Sequence, residues 1–214
     1  GDYQKKAAAA AMDKPTVTGD AVAHYQRICP GKRAIVFAVS VEHSKHVVAQ
    51  VRHAGVVAEH LDGSEDQGRR RRVVEAFARG EIKVLSNVDL FGEGVDVPGI
   101  DAAILLRPTQ SLPLYLQMVG RALRPAPGKD HAVILDHAGN ALRHGLPDED
   151  REWSLAGTKA RGQGQGDGAP PVTQCERCFA VYPSGRAACP ACGHKASGSG
   201  REVQQQDGEL QEVD

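Results

Sequence analysis

Short apolar runs alternate with amphipathic stretches through the middle of the chain. The apolar runs predict buried strands at residues 34–39, 56–61, 82–86, 102–106 and 132–136. The amphipathic stretches predict helices at residues 41–53, 67–79 and 114–123, the second opened by a capping box from Ser64 to Gln67. Strands that are apolar throughout and alternate with helices predict an α/β fold, a parallel sheet with helices on both faces. Ligands of such sheets bind at the carboxyl ends of the strands, so the polar residues there are the first candidates.

Composition divides the chain into five segments. Residues 1–32 are Ala-rich and then polar, which predicts a helical or connecting arm, and residues 33–155 hold nearly all of the Val, Ile and Leu runs. Residues 156–171 are rich in glycine and end in two prolines, which is typical of a flexible linker. Residues 172–195 carry four cysteines, and residues 196–214 are polar and acidic, which predicts a disordered tail.

Charge and hydropathy limit the class of protein. The chain has 26 Lys and Arg against 27 Asp and Glu, a formal net charge of -1, so a nucleic-acid partner would have to be recognised by local patches. No apolar run approaches the roughly 18 residues of a membrane span, and we expect no membrane partner. The chain begins at Gly1 rather than Met, and we interpret it as a piece of a larger protein.

Polar side chains form a stripe along the predicted helix 114–123 and the residue that follows it. With about 100° per residue, Gln117, Arg121 and Arg124 fall on one side. The opposite side, which is expected to pack on the sheet, carries Leu116, Val119 and Leu123. Two guanidinium groups favour a polyphosphate ligand, because they bind oxygens bidentately and keep their charge. An ordinary solvated helix face explains this stripe equally well when it is taken alone.

The segment between the third and fourth predicted strands is a second candidate site. Ser86 and Asn87 lie at the end of a strand, where a hydroxyl can reach a phosphate. Gly94 leaves backbone amides accessible, and Asp96 can accept a hydrogen bond from a ribose hydroxyl. A connecting loop whose glycines only permit turns is an equally good interpretation.

Together, the two stretches resemble motifs V and VI of superfamily 2 helicases and translocases. The pattern Glu-Gly-x-Asp-x-Pro begins at Glu93, and Gln-x-x-Gly-Arg-x-x-Arg begins at Gln117. These patterns resemble the DEAD/DEAH-box branch that contains phage and prophage helicases and restriction-enzyme motors. Residues 34–40 stand where that family has motif IV, and residues 60–64 where it has the following strand and turn. The resemblance covers about residues 33–140 and implies a RecA-like domain, the second of two in such a motor.

The resemblance also implies roles for individual residues. Arg124 matches the arginine finger and Arg121 its partner on the γ-phosphate. The positions that match ATP-binding residues are Gln117, Gly94 and Asp96. The positions that match nucleic-acid contacts are Ser40, Gly63, Ser86 and Asn87. For Ser40 an N-cap of the next helix is an equal alternative, and we interpret His43 as an ordinary exposed histidine.

The sequence lacks the phosphate-binding P-loop, which needs G-x-x-x-x-G-K-[ST]. Its Gly-Lys pairs, Gly31-Lys32 and Gly128-Lys129, are not followed by Ser or Thr. We therefore expect an N-terminal RecA-like domain, outside this chain, to hold most of the ATP and Mg²⁺.

The predicted function is thus the C-terminal half of an ATP-dependent helicase or translocase, inactive alone. Its expected track is nucleic acid, with DNA favoured over RNA, and its expected location is the cytoplasm of a bacterium or a phage-infected cell. The alternative is a non-catalytic module that binds nucleic acid or protein through the cysteine-rich segment.

Two cysteine pairs predict a metal site. In Cys175-x-x-Cys178 and Cys189-x-x-Cys192, each pair can present two thiolates to one ion, and two pairs complete a tetrahedron. The segment resembles a rubredoxin-like zinc ribbon with a structural Zn²⁺ in a reducing compartment. Redox-active pairs and iron are the alternatives. The residues expected to shelter the sulfurs are Phe179, Tyr182 and Pro183, and those expected to form turns are Gly185 and Gly193.

Two further features receive structural interpretations. The four arginines at residues 69–72 are interpreted as a solvated helix face rather than a nucleic-acid contact. Cys29 stands apart from the pairs and is predicted to be an inert, partly buried thiol.

Overall fold

The computed structural model describes residues 2–89, 97, 99–151 and 172–195. Gly94 and Asp96 lie outside the described residues, as do the predicted linker and tail. In the part of the chain that is described, no helix combines the length and the hydrophobicity that a membrane span requires.

The described residues form six helices and seven strands. The helices are α1 (Lys5–Met12), α2 (Pro15–Ile28), α3 (Val41–His53), α4 (Gln67–Ala78), α5 (Leu112–Leu123) and α6 (Asn140–His144). The strands are β1 (Ala34–Phe37), β2 (Ala58–Leu61), β3 (Val84–Asn87), β4 (Ala102–Leu105), β5 (Val133–Asp136), β6 (Val172–Gln174) and β7 (Val181–Pro183). The eight elements predicted from the apolar pattern are all present, with ends that differ by at most two residues.

The first five strands form one parallel sheet in the order β2-β3-β1-β4-β5. Ala34 at the start of β1 pairs with Val84 of β3 and with Ala102 of β4, so these strands begin at the same level. Their carboxyl ends therefore lie along one side of the sheet, which we call the carboxyl edge. The side where β1 and β4 begin, with Arg33 and residues 99–101, is called the amino edge. Strands β6 and β7 form a separate antiparallel pair.

Helices cover both faces of the sheet. Val36 and Ile104 point into a hydrophobic cluster that contains residues of α1, α2 and α3. Their neighbours Phe37 and Leu105 point into a second cluster with residues of α4 and α5, as the two-residue period of strands requires. The predicted RecA-like α/β architecture is thereby confirmed. The first cluster includes Tyr25 of α2, so the core continues into the segment that the composition describes as an arm.

The beginning of α4 differs from the prediction. The Asp66 carboxylate caps the helix and accepts a hydrogen bond from the backbone N–H of Arg69 at 2.9 Å. The backbone N–H of Ser64 donates instead to Asp62, at 2.7 Å. The predicted Ser64–Gln67 capping box is wrong, because Asp66 occupies the N-cap position and offers a charged acceptor there.

The buried face of α5 is also rotated from the prediction. Its buried residues are Tyr115, Met118, Val119 and Ala122. Leu123, which was expected to face the sheet, is 46% exposed. The i, i+3, i+4, i+7 spacing of the buried set places the centre of the apolar face near Met118, and Leu123 lies beside it.

Candidate functional site

Helix α5 carries the predicted arginines at its C-terminal end. Ser111 begins the helix, and its hydroxyl accepts a hydrogen bond from the N–H of Leu114 at 3.4 Å. On the helix, Gln117 is exposed and Arg121 is half-buried. Arg124 is exposed and ends the helix with extended backbone, φ -60 and ψ 129. Two members of the predicted stripe thus lie on the helix, and the third lies on the residue that terminates it.

Lys129 holds the end of α5 in place. Its ammonium donates to the backbone carbonyls of Ile100 at 2.7 Å and Arg124 at 2.8 Å, and also to that of Ala122. Burial lowers the pKa of Lys129, and the nearby Asp101 carboxylate opposes this shift. Sequence reasoning missed this role, although a lysine shortly after a helix end is a known partner for orphan carbonyls.

This contact places the arginines at the amino edge of the sheet. Ile100 lies just before β4 and four residues after Asp96, the last residue of the predicted Gly-x-Asp turn. Gly99 has φ +77, and a Cβ there would collide with the guanidinium of Arg33. The end of α5 therefore lies beside the start of β4. The arginines of α5 thus lie at the amino edge, whereas Ser40, Gly63, Ser86 and Asn87 lie at the carboxyl edge. The two groups are apart because a helix that follows a parallel strand runs back toward the amino edge.

A chain of buried polar side chains lies beneath the carboxyl edge. The Ser44 hydroxyl is 2.7 Å from Nδ1 of His60 and 2.6 Å from the hydroxyl of Ser86. Nε2 of His60 is 2.9 Å from the carboxylate of Asp62, which also accepts from Ser64. Hydrogen bonds from Ser64, above all from its hydroxyl, lower the pKa of Asp62 to about 2. We call these five residues the edge network; it links β2, β3 and α3.

Two predicted nucleic-acid contacts, Ser86 and Asn87, lie inside the protein. Ser86 is 0% exposed and belongs to the edge network. Asn87 is 3% exposed, and its side-chain amide donates to a backbone carbonyl of β1 at 2.8 Å. Neither side chain reaches the surface in this conformation. The direct contact with nucleic acid that the resemblance implies stays a prediction. In the structure, both side chains form hydrogen bonds inside the protein that support the edge of the sheet.

Ser40 and Gly63 lie closer to solvent at the same edge. Ser40 is half-buried, and its hydroxyl accepts from the N–H of His43 at 3.1 Å, so the N-cap interpretation is confirmed. Gly63 is exposed in the turn after β2, and a Cβ there would meet nothing within 4 Å among the described residues. A contact of either residue with nucleic acid stays a prediction.

His43 is not the exposed histidine that the sequence predicts. It is 0% exposed, and among the described residues neither ring nitrogen has a hydrogen-bond partner. Burial lowers the pKa of His43, and the nearby Asp13 carboxylate opposes this shift. The sequence pattern gives no sign of this burial: α1, α2 and α3 share one hydrophobic cluster on this face of the sheet, and Asp13 just after α1 lies near His43.

The loop that leads into α5 is braced by residues far apart in the sequence. The side chain of Asn140 donates to the carbonyl of Arg107 and accepts from the N–H of Thr109, both at 3.0 Å. The carboxylate of Asp2 accepts from the Thr109 hydroxyl at 3.0 Å and from the N–H of Gln110 at 2.8 Å. This brace fixes where α5 begins, and it was not visible in the sequence.

The arginines at residues 69–72 make local contacts. Arg69 forms ion pairs with Glu65 and, at 3.3 Å, with Glu59. Arg71 lies 3.9 Å from Glu75 one turn later. These pairs agree with the solvated helix face that we favoured.

Two groups of described residues have the composition of a metal site. His60, Asp62 and Glu65 bring ligand atoms within 4.8 Å of one another. The first two bind each other and Glu65 pairs with Arg69, so internal contacts already use these groups. The four cysteines form the other group.

The cysteine cluster has the geometry of a four-thiolate site. The four Sγ atoms lie within 4.8 Å of one another, with 3.6 Å between Cys175 and Cys192 and between Cys178 and Cys189. All four are free thiols, and a tetrahedron with ligands about 2.3 Å from zinc has edges of about 3.8 Å. The backbone N–H of Cys178 is the main cause that lowers the pKa of Cys175 to about 6. The donor set fits Zn²⁺, whose binding stays a prediction.

The residues around the cluster differ partly from the prediction. Tyr182 is 3% exposed and packs with the cysteines as expected. Phe179, expected to shelter the sulfurs, is 59% exposed, and Pro183 is also exposed. Gly185 and Gly193 both have positive φ, as predicted turns require. The remaining cysteine, Cys29, is buried, which raises its pKa to about 11 and agrees with an inert thiol.

Comparisons with known proteins agree with this geometry. Residues 20–126 match the helicase conserved C-terminal domain family. A 51.5 kDa protein of a Lactococcus phage is 38% identical over 200 residues, 92% of this chain and 43% of its own length. The putative ATP-dependent helicase IRC3 of Saccharomyces cerevisiae is 35% identical over 108 residues, 50% of this chain and 16% of its own.

Among solved structures, the C-terminal domain of the DEAD-box protein Dbp5 shares the fold. Its TM-score is 0.50 at 16% identity, covering 61% of this chain and 77% of that one. The chain spans less than half of the phage protein's length and about a sixth of the yeast helicase's. With a matched domain, a RecA-like sheet and motif VI on α5, the chain belongs to the helicase conserved C-terminal domain family of superfamily 2 helicases.

Proposed function

We propose that this chain is the C-terminal half of an ATP-dependent nucleic-acid helicase or translocase. In the whole protein, ATP and Mg²⁺ would be held mainly by an N-terminal RecA-like domain, and this chain would close over the nucleotide. One observation carries the proposal: Arg121 and Arg124 lie where α5 ends at the amino edge of the sheet, and Lys129 ties that end to Ile100 just before β4.

The end of α5 suits a partner that supplies a phosphate chain. Arginine side chains delivered from a second domain stabilise the charge that develops on a transferred phosphoryl group. Lys129 fixes the backbone of Arg124 relative to Ile100, so domain closure would bring both guanidiniums to the γ-phosphate in a set geometry. Gln117, Gly94 and Asp96 would complete the contacts to the nucleotide.

The carboxyl edge would contact the nucleic-acid track. We propose that Ser40, Gly63 and the neighbouring backbone meet the phosphates, with Ser86 and Asn87 supporting that surface from below. Contacts of this kind position a strand without reading its sequence, as a translocating motor requires. We favour DNA as the track, and we place the activity in the cytoplasm of a bacterium or a phage-infected cell because of the phage relative.

The cysteine cluster would add a structural Zn²⁺ held by Cys175, Cys178, Cys189 and Cys192. A closed shell of four thiolates leaves no open coordination position, so the ion would cross-link β6, β7 and the turns around them rather than take part in hydrolysis.

The decisive experiment is Arg124→Ala in the full-length protein that contains this chain. We expect nucleic-acid-stimulated ATP turnover to fall by about 10³-fold, with the KM for ATP changed far less, because the finger acts in the transition state. The matched control is Arg79→Ala, which removes an exposed arginine that pairs only locally with Glu81.

Unchanged turnover in Arg124→Ala would reject the assignment. Turnover that falls equally in both variants would point to a general loss of folding or charge. The alternative, a binding module without catalysis, predicts that neither variant affects any ATPase activity of the parent protein.

A further inference from the structure

The two cysteine turns are built alike. The N–H of Phe179 donates to the carbonyl of Cys175 at 2.9 Å, and the N–H of Gly193 donates to that of Cys189 at 2.9 Å. Phe179 has φ 60 and Gly193 has φ 71, so both residues occupy the left-handed region. The two positions are therefore equivalent, and each turn requires the conformation that glycine adopts most readily.

A phenylalanine at this position works against local stability. A side chain with a Cβ is disfavoured in the left-handed region, and an aromatic residue is an uncommon occupant. The second turn avoids this cost with Gly193. The Phe179 ring does not recover it by burial, because it is 59% exposed, whereas Tyr182 at 3% already covers the cysteines.

The exposed ring belongs to a short segment with more basic than acidic residues. Arg177, two residues earlier in the same turn, and Arg186, between the cysteine pairs, are also exposed. Within residues 172–195 the Lys and Arg residues are Arg177, Arg186 and Lys195, against the single acid Glu176. An exposed aromatic ring and exposed arginines within one small module are the combination that holds unpaired bases by stacking and their phosphates by charge.

We infer that Phe179 forms a stacking site for an unpaired base of a single-stranded nucleic acid, with Arg177 on the adjacent phosphate. Base stacking needs a splayed nucleotide, so a duplex, whose bases are already stacked, would be bound more weakly. The inference rests on the proposed nucleic-acid track, but it concerns the cysteine segment and not the nucleotide site. A ring that instead docks on a protein partner is an outcome of the test.

The test compares Phe179→Gly with the unsubstituted zinc-loaded chain. Fluorescence anisotropy would measure binding to a labelled oligothymidylate of about 20 nucleotides and to a duplex of the same length. We expect Phe179→Gly to keep its zinc and to weaken single-strand binding by at least about fivefold, with little change for the duplex. The control is Leu142→Ala, which removes an apolar side chain 46% exposed on α6 and should change neither affinity.

Stacking can also be measured in a second variant, Phe179→Trp, if Phe179→Gly loses its zinc. In Phe179→Trp, stacking should quench the indole fluorescence when oligothymidylate binds, beyond the background from Trp153 in the unsubstituted chain. Absence of extra quenching, or unchanged affinity in a zinc-loaded Phe179→Gly, overturns the inference. The exposed ring would then be interpreted as a contact for a protein partner. Arg124→Ala should leave this affinity intact while it abolishes ATP turnover, so the two proposals can fail separately.

Discussion

The polar side chains at the two edges of the sheet make different kinds of contact. At the carboxyl edge, side chains bind one another: Ser44, His60, Asp62 and Ser86 are all buried and joined by hydrogen bonds. At the amino edge, the side chains of Lys129 and Arg33 donate to backbone carbonyls, and Arg124 is exposed.

The difference separates residues that support a surface from residues that can form one. A buried and satisfied network fixes strand ends and helix starts, so its value lies in stability and position. An exposed guanidinium at a fixed helix end lies where a ligand or a second domain can reach it. Motif membership alone does not distinguish the two, because Ser86 and Arg124 both belong to motifs that the sequence singles out.

The largest effect on stability is expected at the carboxyl edge, from Asp62→Asn. The pKa of Asp62 is lowered to about 2 from 3.8, so its carboxylate stabilises the fold above pH 4, and this stabilisation is lost as the pH falls toward 2. The variant should lose about 2 kcal/mol of unfolding free energy at neutral pH. Its unfolding free energy should also depend less on pH between about 4 and 2. Denaturant unfolding followed by far-ultraviolet circular dichroism measures this, since all described helices lie in residues 5–144. Equal acid sensitivity in both proteins would contradict the network.

At the amino edge, Lys129→Ala should cost about 1–2 kcal/mol, because carbonyls at the end of α5 lose a charged donor. Lys129→Arg keeps the charge and should retain more of the stability. In the full-length protein, Lys129→Ala should also lower the turnover number for ATP while Lys129→Arg partly restores it. A stable variant with full turnover would show that Lys129 does not position Arg124.

The smallest effect on stability is expected from a substitution inside the edge network. Ser86→Ala should cost about 1 kcal/mol, the typical contribution of one neutral hydrogen bond, and should change nucleic-acid affinity by less than about twofold. Unfolding and anisotropy measurements on the same sample give both values. Weakened affinity with unchanged stability would instead support the direct contact that the resemblance implies.

The sheet could be predicted because its signal is local. β1 and β4 are continuous apolar runs, and α3 keeps its apolar residues on one side, so the sequence alone identifies both kinds of element. The motifs could be recognised for a similar reason, since their spacing is short.

Other features depend on contacts between distant parts of the chain. His43 is fully buried although the pattern around it predicts exposure, and Asn140 braces a loop more than thirty residues earlier. In the sequence, Lys129 belongs only to a Gly-Lys pair with no Ser or Thr after it, yet its ammonium caps a helix. A residue's own neighbours in the sequence do not reveal which orphan backbone group it will meet in the fold.

The helical cover on both faces of the sheet has a consequence for how such a domain can evolve. Because neither face is open, another domain must meet the molecule at loops, turns and helix ends. Substitutions, insertions or exchanged partners at those places need not disturb the interior. The same scaffold can therefore be adapted to new tracks or accessory modules while its hydrophobic layers stay unchanged.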